Sequence, residues 1–421
     1  MTDNDFRARL EETTLAYQPE FRADDRPVVV SLPENSETPG GDALLCSLVN
    51  QLARIHRRLV LVGNLTRPVL CRDPFGATTL LDATAGNAAS INPAIEIDVV
   101  ERPPASKCLT HLSIGGPGDL SLGFSGWTAR AGKRVSVTED DSDIWGALLA
   151  STLGAWFAFR RQLGKSTQIE GDFSLWAYGR QSALGGPHLS TMPPGGRTLQ
   201  VGAGGVGAAL DYWLAMLGYT GALTVADGDV VEVGNLNRQL IFNASDAGYP
   251  SGTAGNKASI AASRLGPSTN ASPHWYGDDG TIVEADYDVI LALANEHGAR
   301  EALQDRRPPV LLHATTSPNY QAQLHRHLPN GDDCIRCRLP GPVAQTACAT
   351  APIPAANSDA ALPFLSGLAG LLLVPALVRC ALGQVTDDST NLDIVDLSGG
   401  FPGHQHLRMQ CKDGCAKRRT A

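Results

Sequence analysis

Positive charge is in short supply in this chain. Lys and Arg number 34 against 43 Asp and Glu in 421 residues, a formal net charge of −9. That deficit excludes a general binder of phosphate backbones, so nucleic acid is not an expected ligand. Residues 1 to 20 are polar and acidic and lack the apolar stretch of a secretion signal; the expectation is a cytoplasmic protein. Long uncharged runs are scarce as well. "AALPFLSGLAGLLLVPALV", Ala360 to Val378, has the length of a membrane span, yet it is solitary and interrupted by Ser366, Gly367, Gly370 and Pro375. It reads as a buried helix, and no membrane partner is expected. "IWGALLASTLGAWFAF", Ile144 to Phe159, is too short to span and reads as a second interior helix.

What is present is enough material for more than one core. The length predicts two or three domains, and 43% hydrophobic with 18% charged residues is the composition of a soluble globular protein. The first part reads α/β: "RPVVVSLP" from Arg26 and "LVLVG" from Leu59 are short strands, with a helical spacing from Gly41 between them. No glycine turn of phosphate-binding pattern comes after either strand. "HLSIGGPGDLSLGFSGW", His111 to Trp127, is rich in glycine without lying between a strand and a helix, and is read as loop. The pattern changes near Gly164 to Asp172, which divides the chain into an N-terminal α/β domain, residues 1–170, and a second domain, residues 171–421.

The second domain opens with strand, turn, helix, strand. "TLQV" (Thr198 to Val201) is a buried strand, Ala208 to Leu217 carries a helical apolar face, "ALTVAD" (Ala222 to Asp227) is the next strand, and "YDVILALA" from Tyr287 continues the sheet. That is a βαβ unit, hence a mostly parallel, Rossmann-like sheet with right-handed crossover. In "GAGGVG" the glycines Gly202, Gly204, Gly205 and Gly207 let backbone N–H groups close on phosphate at a helix N-terminus. Asp227 ends the second strand where an acid can accept from ribose hydroxyls. Dehydrogenases, methyltransferases and adenylating enzymes share this much, so NAD and ATP both remain open on the glycines alone.

The continuation separates them. "DGDVVEVGNLNRQL", Asp227 to Leu240, resembles the D-x-D-x-V-x-x-x-N-L-x-R-Q signature of the ThiF/MoeB/ubiquitin-activating superfamily. A second acid, Asp229, followed by an amide and an arginine suits ATP, whose triphosphate and metal need both signs of charge nearby. The resemblance, carried from about Ser174 to the C-terminus, implies ATP and Mg²⁺ held by Asp227, Asp229, Asn235, Arg238, Gln239 and Lys257. Lys257 matches the family's K-x-x-x-A helix, and "YGRQ", from Tyr178, resembles the entry segment whose arginine, here Arg180, reaches across a dimer or pseudodimer to another triphosphate. One position departs. Where the family places a magnesium-ligating aspartate, this chain has Asn295 followed by Glu296, an amide oxygen without charge.

Nine cysteines without a secretory context point to metal or catalysis rather than disulfides. Cys334 and Cys337 form a CxxC and Cys411 and Cys415 a CxxxC, the ligand types and local spacing of a tetrahedral Cys₄ site for Zn²⁺; in the family such a site clamps the C-terminal segment to the adenylation domain. Cys348 lies where relatives carry a mobile loop with the cysteine that takes the activated acyl group. Cys46 and Cys380 read as buried, and His325, His327, His404 and His406 flank the two pairs. "VSVTEDDSDIWGALLASTLGAWFAFRRQL", from Val135, resembles the tail of a second ThiF-like half, so residues 1–170 are either a degenerate copy of the adenylation fold or a separate ligand-recruiting domain.

Taken together, the expectation is ATP-dependent adenylation of a C-terminal carboxylate on a ubiquitin-like or sulfur-carrier protein or peptide, by a homodimer or internal pseudodimer. The alternatives are adenylation of a small-molecule carboxylate without a cysteine relay, a catalytically degenerate nucleotide-binding scaffold and, furthest from the motifs, an NAD-dependent oxidoreductase.

Overall fold

A computed structural model of the chain describes residues 1–421 apart from 105–106, 136–142, 166–167, 181–184, 279–281, 307, 329–332, 339–360, 386–389, 413–414 and 416–421. In the N-terminal half the elements are α1 (Asp3–Tyr17), β1 (Val28–Ser31), α2 (Pro39–Leu52), β2 (Arg58–Val62), α3 (Asn87–Ile91), β3 (Glu96–Val100), β4 (Thr110–Ile114), β5 (Leu120–Ser125), β6 (Thr128–Gly132), α4 (Trp145–Gln162) and β7 (Gly171–Ser174). The C-terminal half continues with β8 (Thr198–Val201), α5 (Gly205–Met216), β9 (Leu223–Ala226), α6 (Lys257–Leu265), β10 (Thr269–Ser272), β11 (Val289–Ala292) and α7 (His297–Asp305). It ends with β12 (Val310–Ser317), β13 (Gln321–His327), α8 (Ile335–Arg338), α9 (Pro363–Ala381), β14 (Leu392–Asp396) and β15 (Gly403–Leu407).

Two sheets result, and they repeat one plan. The first runs β3-β2-β1-β4-β5-β6-β7 and the second β10-β9-β8-β11-β12-β13-β14-β15. In each the first five strands are parallel and the remainder antiparallel. Helices come in the same sequence: α2 and α5 after the first strand of each half, α3 and α6 before the third, α4 and α9 before the last shared strand. The first sheet takes in Gly171–Ser174, on the far side of the compositional change.

The fold-back between β4 and β5 corrects the reading of residues 111–127 as loop. Thr110–Ile114 and Leu120–Ser125 are parallel neighbours, with Leu112 beside Leu120 and Ile114 beside Leu122. Gly115 to Asp119 alone join them, where the second half inserts α7 between β11 and β12. Such a return without a helix needs backbone lying flat on the strand: Gly115 has φ +69°, and a Cβ at Gly118 would stand 2.8 Å from the His111 carbonyl oxygen. The glycines that suggested a loop are the condition for the strand pair.

Between the sheets lies one continuous apolar core built on α2, α4, α5 and α9. Pro363–Val378 of α9 is buried, as is Trp145–Phe159 of α4. Helix α9 is long and apolar enough to cross a membrane, and most of its length is inside the protein. Small residues bring the helices together: a Cβ at Gly370 would meet the Leu210 backbone nitrogen at 2.8 Å, and Trp213 Nε1 donates to the Gly367 carbonyl at 2.9 Å. Phe364 of α9 packs on Trp156 and Phe159 of α4, with ring centroids 5.3 Å apart in both pairs. The two halves therefore share their interior. Cys46 is buried as expected, whereas Cys380, near the end of α9, is only half-buried.

Candidate functional site

The site is assembled at the carboxyl ends of β8, β9 and β11. After Val201 the chain turns at Gly202, whose φ of +103° is one that L side chains rarely adopt. A Cβ there would meet the Ala294 backbone nitrogen at 2.5 Å, and one at Gly207 would meet the Gly202 carbonyl oxygen at 2.1 Å. Gly204, the residue before α5, has open space where a Cβ would be, and its helix receives no side-chain cap. The first N–H groups of α5 are thus left to an anion, with the helix dipole favouring one.

The acids and the lysine interlock with this turn. Asp227 accepts from the backbone N–H of Ala203 at 2.7 Å through one carboxylate oxygen and from that of Asp229 at 2.9 Å through the other. Asp229 in turn pairs with Lys257 Nζ at 2.8 Å. Lys257 begins α6 and is buried, whereas the Asp229 side chain is 51% exposed, so the charge of the pair faces outward on the acid side. Sequence reasoning missed Asn256. It caps α6 by accepting from Ser259 N–H, and it donates its amide to the carbonyls of Asp227 and Asp229 at 2.9 and 3.0 Å, setting the distance between acid strand and lysine helix. An Asn directly before a helical run is an N-cap signal that could have found it.

The N-L-N-R-Q segment, residues 235–239, leads out of a tight turn over Val233–Asn235. Arg238 donates to Asn235 Oδ1 at 3.0 Å and to the Gly234 carbonyl at 3.2 Å, and its methylenes lie 3.6 Å from where a Cβ on Gly205 would be. Gln239 is buried beside it. This turn is held from the other half. Arg54, at the end of α2 and 1% exposed, donates to the carbonyls of Leu236, Leu240 and Phe242. Burial pulls its guanidinium down to about 9, and three carbonyls are what make the buried charge tolerable. Thr13 of α1 adds a hydrogen bond to the Gly234 carbonyl at 2.9 Å.

Asn295 and Glu296 stand exposed just beyond β11, directly after Ala294, whose N–H bonds Val201. They therefore adjoin the glycine turn. Arg180 is not brought to this group among the described contacts: its guanidinium lies 4.6 Å from the centroid of the Phe401 ring. Cys348 lies outside the described residues.

The four cysteines meet. Cys334, Cys337, Cys411 and Cys415 place their sulfurs within 4.8 Å of one another, Cys334 and Cys415 at 3.6 Å. Four thiolates about 2.3 Å from a tetrahedral zinc stand roughly 3.8 Å apart, so the cluster could hold zinc. Lys412 N–H points at Cys337 Sγ, 3.3 Å away. Burial, with the neighbouring sulfur next, pushes the Cys411 thiol well up, a proton that a bound cation would displace. In the β12–β13 hairpin, His313, His325 and His327 form a second buried group.

A glycine turn, interlocked acids and a buried lysine at the open ends of a doubly wound sheet define a helix-N-terminus site of the α/β class. The chain belongs to the ThiF family, whose profile matches residues 195–413, just over half of its length. It is 31% identical to the SAMP-activating enzyme E1 of Haloferax volcanii over 210 residues, 47% of this chain and 70% of that one. To an adenylyltransferase and sulfurtransferase MOCS3 of Arabidopsis thaliana it is 29% identical over 158 residues, 36% of this chain and 32% of that one. The chain thus spans about a third of the plant protein's length. Among solved structures, E. coli MccB with MccA-N7isoASN is similar at TM-score 0.40 and 16% identity, covering 52% of this chain and 66% of that one.

Proposed function

We propose that this protein activates a carboxylate with ATP, and that the carboxylate is the C-terminal glycine of a ubiquitin-like or sulfur-carrier protein. The observation that carries the reading is the Asp227, Asp229 and Lys257 interlock beside an uncapped helix N-terminus. A carboxylate oxygen attacks the α-phosphorus of ATP, the bond to the bridging oxygen breaks, and acyl adenylate and pyrophosphate result. The N–H groups of α5 and the charges of Lys257 and Arg238 oppose the negative charge that collects on the phosphates, so catalysis is positioning and electrostatics. Mg²⁺, when bound, supplies further neutralisation. The exposed oxygens of Asp229 and Asn295 are of the hard type it takes, with Asn295 contributing no charge. Cys348 then takes the acyl group as a thioester, releasing AMP.

We read the N-terminal half as an inactive copy of the same fold, which makes the chain an internal pseudodimer; the repeated strand order supports this. Carrier-dependent ATP–pyrophosphate exchange tests the activity. Exchange that requires the carrier's terminal glycine is expected. Exchange with a small carboxylic acid instead would move the substrate to small molecules, and ATP binding without any exchange would make the chain a nucleotide-binding scaffold. Cys348→Ala should leave exchange intact and abolish the thioester.

A further inference from the structure

We propose that His313, His325 and His327 form a second metal site, for one zinc-class divalent ion, separate from the four cysteines. The register of the β12–β13 hairpin creates it. His313 pairs directly with His325 across the antiparallel ladder, and His327, two residues on, emerges on the same face opposite Leu311. All three are buried, at 0%, 3% and 2% exposure, on the sheet face that carries Leu311, which packs in one core cluster with Leu303 of α7 and Ile335 of α8.

Their geometry suits a cation better than a packing role. His327 Nε2 and His313 Nδ1 are 3.2 Å apart, and one nitrogen of each of the three residues lies within 4.8 Å of the others. Two imidazole nitrogens about 2.0–2.1 Å from a tetrahedral ion stand about 3.3 Å apart, so the first pair already has a ligand spacing. Behind His327, Asp333 Oδ2 stands 3.5 Å from Nδ1, itself 1% exposed and anchored through its other oxygen by Arg338 Nε at 2.7 Å. A carboxylate behind a ligating histidine is the usual outer partner that fixes tautomer and orientation.

The hydrogen-bond count points the same way. Both ring nitrogens of His325 are buried with no hydrogen-bond partner among the described residues, and an ion held by His313 Nδ1 and His327 Nε2 would take one of them. A buried polar group that nothing receives is destabilising, and leucine or phenylalanine would fill the same space without that cost. Three imidazoles leave the fourth coordination position to water. The site is joined to the cysteine cluster by the short run from His327 to Cys334, so one covalent segment would carry ligands to two ions. This inference does not depend on the adenylation reading.

Metal content of the full-length protein, after exchange into zinc and removal of loosely held metal, tests it. Two zinc ions per chain are expected in the wild type and one in His313→Gln and His325→Gln. One ion per chain in the wild type, unchanged by either substitution, would overturn it. X-ray absorption at the zinc edge needs no variant: a first shell mixing sulfur with imidazole nitrogen is expected, and a purely sulfur shell at full loading refutes the site even if the variants misfold.

Discussion

The first strands of the two halves, β1 and β8, occupy equivalent places in the same strand order, but the links that lead out of them differ in one respect that matters. After β8 the chain reaches α5 through Gly202–Gly204 and leaves its N-terminus uncapped. After β1 a longer link, Leu32–Thr38, ends on Thr38, whose side chain accepts from Gly41 N–H. The buried Asp42 in the first turn of α2 pairs with Arg67 and accepts from Leu70 N–H at 2.8 Å. In one half the helix N-terminus is satisfied by its own sequence; in the other it is left for a ligand. The N-terminal half keeps a cleft of about 840 Å³ at the equivalent strand ends, lined by Glu34, Glu37, Glu101 and His111 and, among the described residues, by no lysine or arginine. Topology sets where a cleft forms, and the cap and the charges decide which sign of ligand it favours.

Substitutions in the two clefts should break this comparison or sharpen it. Lys257→Ala and Arg238→Ala are each expected to lower ATP–pyrophosphate exchange by about 100-fold or more, whereas His111→Ala leaves it within about two-fold; equal losses in both clefts would mean that both halves handle nucleotide. Arg54→Met strands the carbonyls of Leu236, Leu240 and Phe242, and should cost about 3 kcal/mol in urea unfolding while raising the KM for ATP. Cys337→Ser should lower the melting temperature by on the order of 5 °C and remove the part of its chelator sensitivity that the four cysteines supply.

The smallest expected effect concerns Asp211 on α5, whose carboxyl burial raises from the ordinary 3.8 to about 8. The folded protein therefore holds a proton that the unfolded chain has lost, so this contribution is complete below about pH 4 and declines as pH rises towards 8. Asp211→Asn should flatten the stability profile between pH 5 and 8 by on the order of 2 kcal/mol, measured by denaturant titration at both ends.

Legibility in the sequence tracks how local each constraint is. β8, the glycine turn, α5 and β9 are readable because backbone approach and a strand-end acid restrict residue types over a few consecutive positions. Lys257 carries no such signal by itself; its burial against Asp229 emerges only when α6 is laid beside β9. Helix α1 escapes a reading of the sequence, although Thr2 and Asp5 form a capping box and Phe6, Leu10 and Thr14 make a thin buried stripe, because its acidic surface dilutes the periodicity. Arg54 and the histidine triad are out of reach for another reason. One reads as an ordinary helix arginine until a turn some 180 residues away closes on it, and the other exists only in the register of a hairpin.

The packing of Phe364 against Trp156 and Phe159 has a consequence for how the protein responds to dilution. Where an activating site is completed by a separate subunit, the fraction of competent molecules obeys mass action and falls as concentration drops below the dissociation constant. Here Arg54 and Thr13 reach the Gly234 to Phe242 turn from the same polypeptide. Tethering fixes their effective concentration. The turn stays braced however few copies a cell contains, and each molecule's share of that bracing is independent of how many others are made.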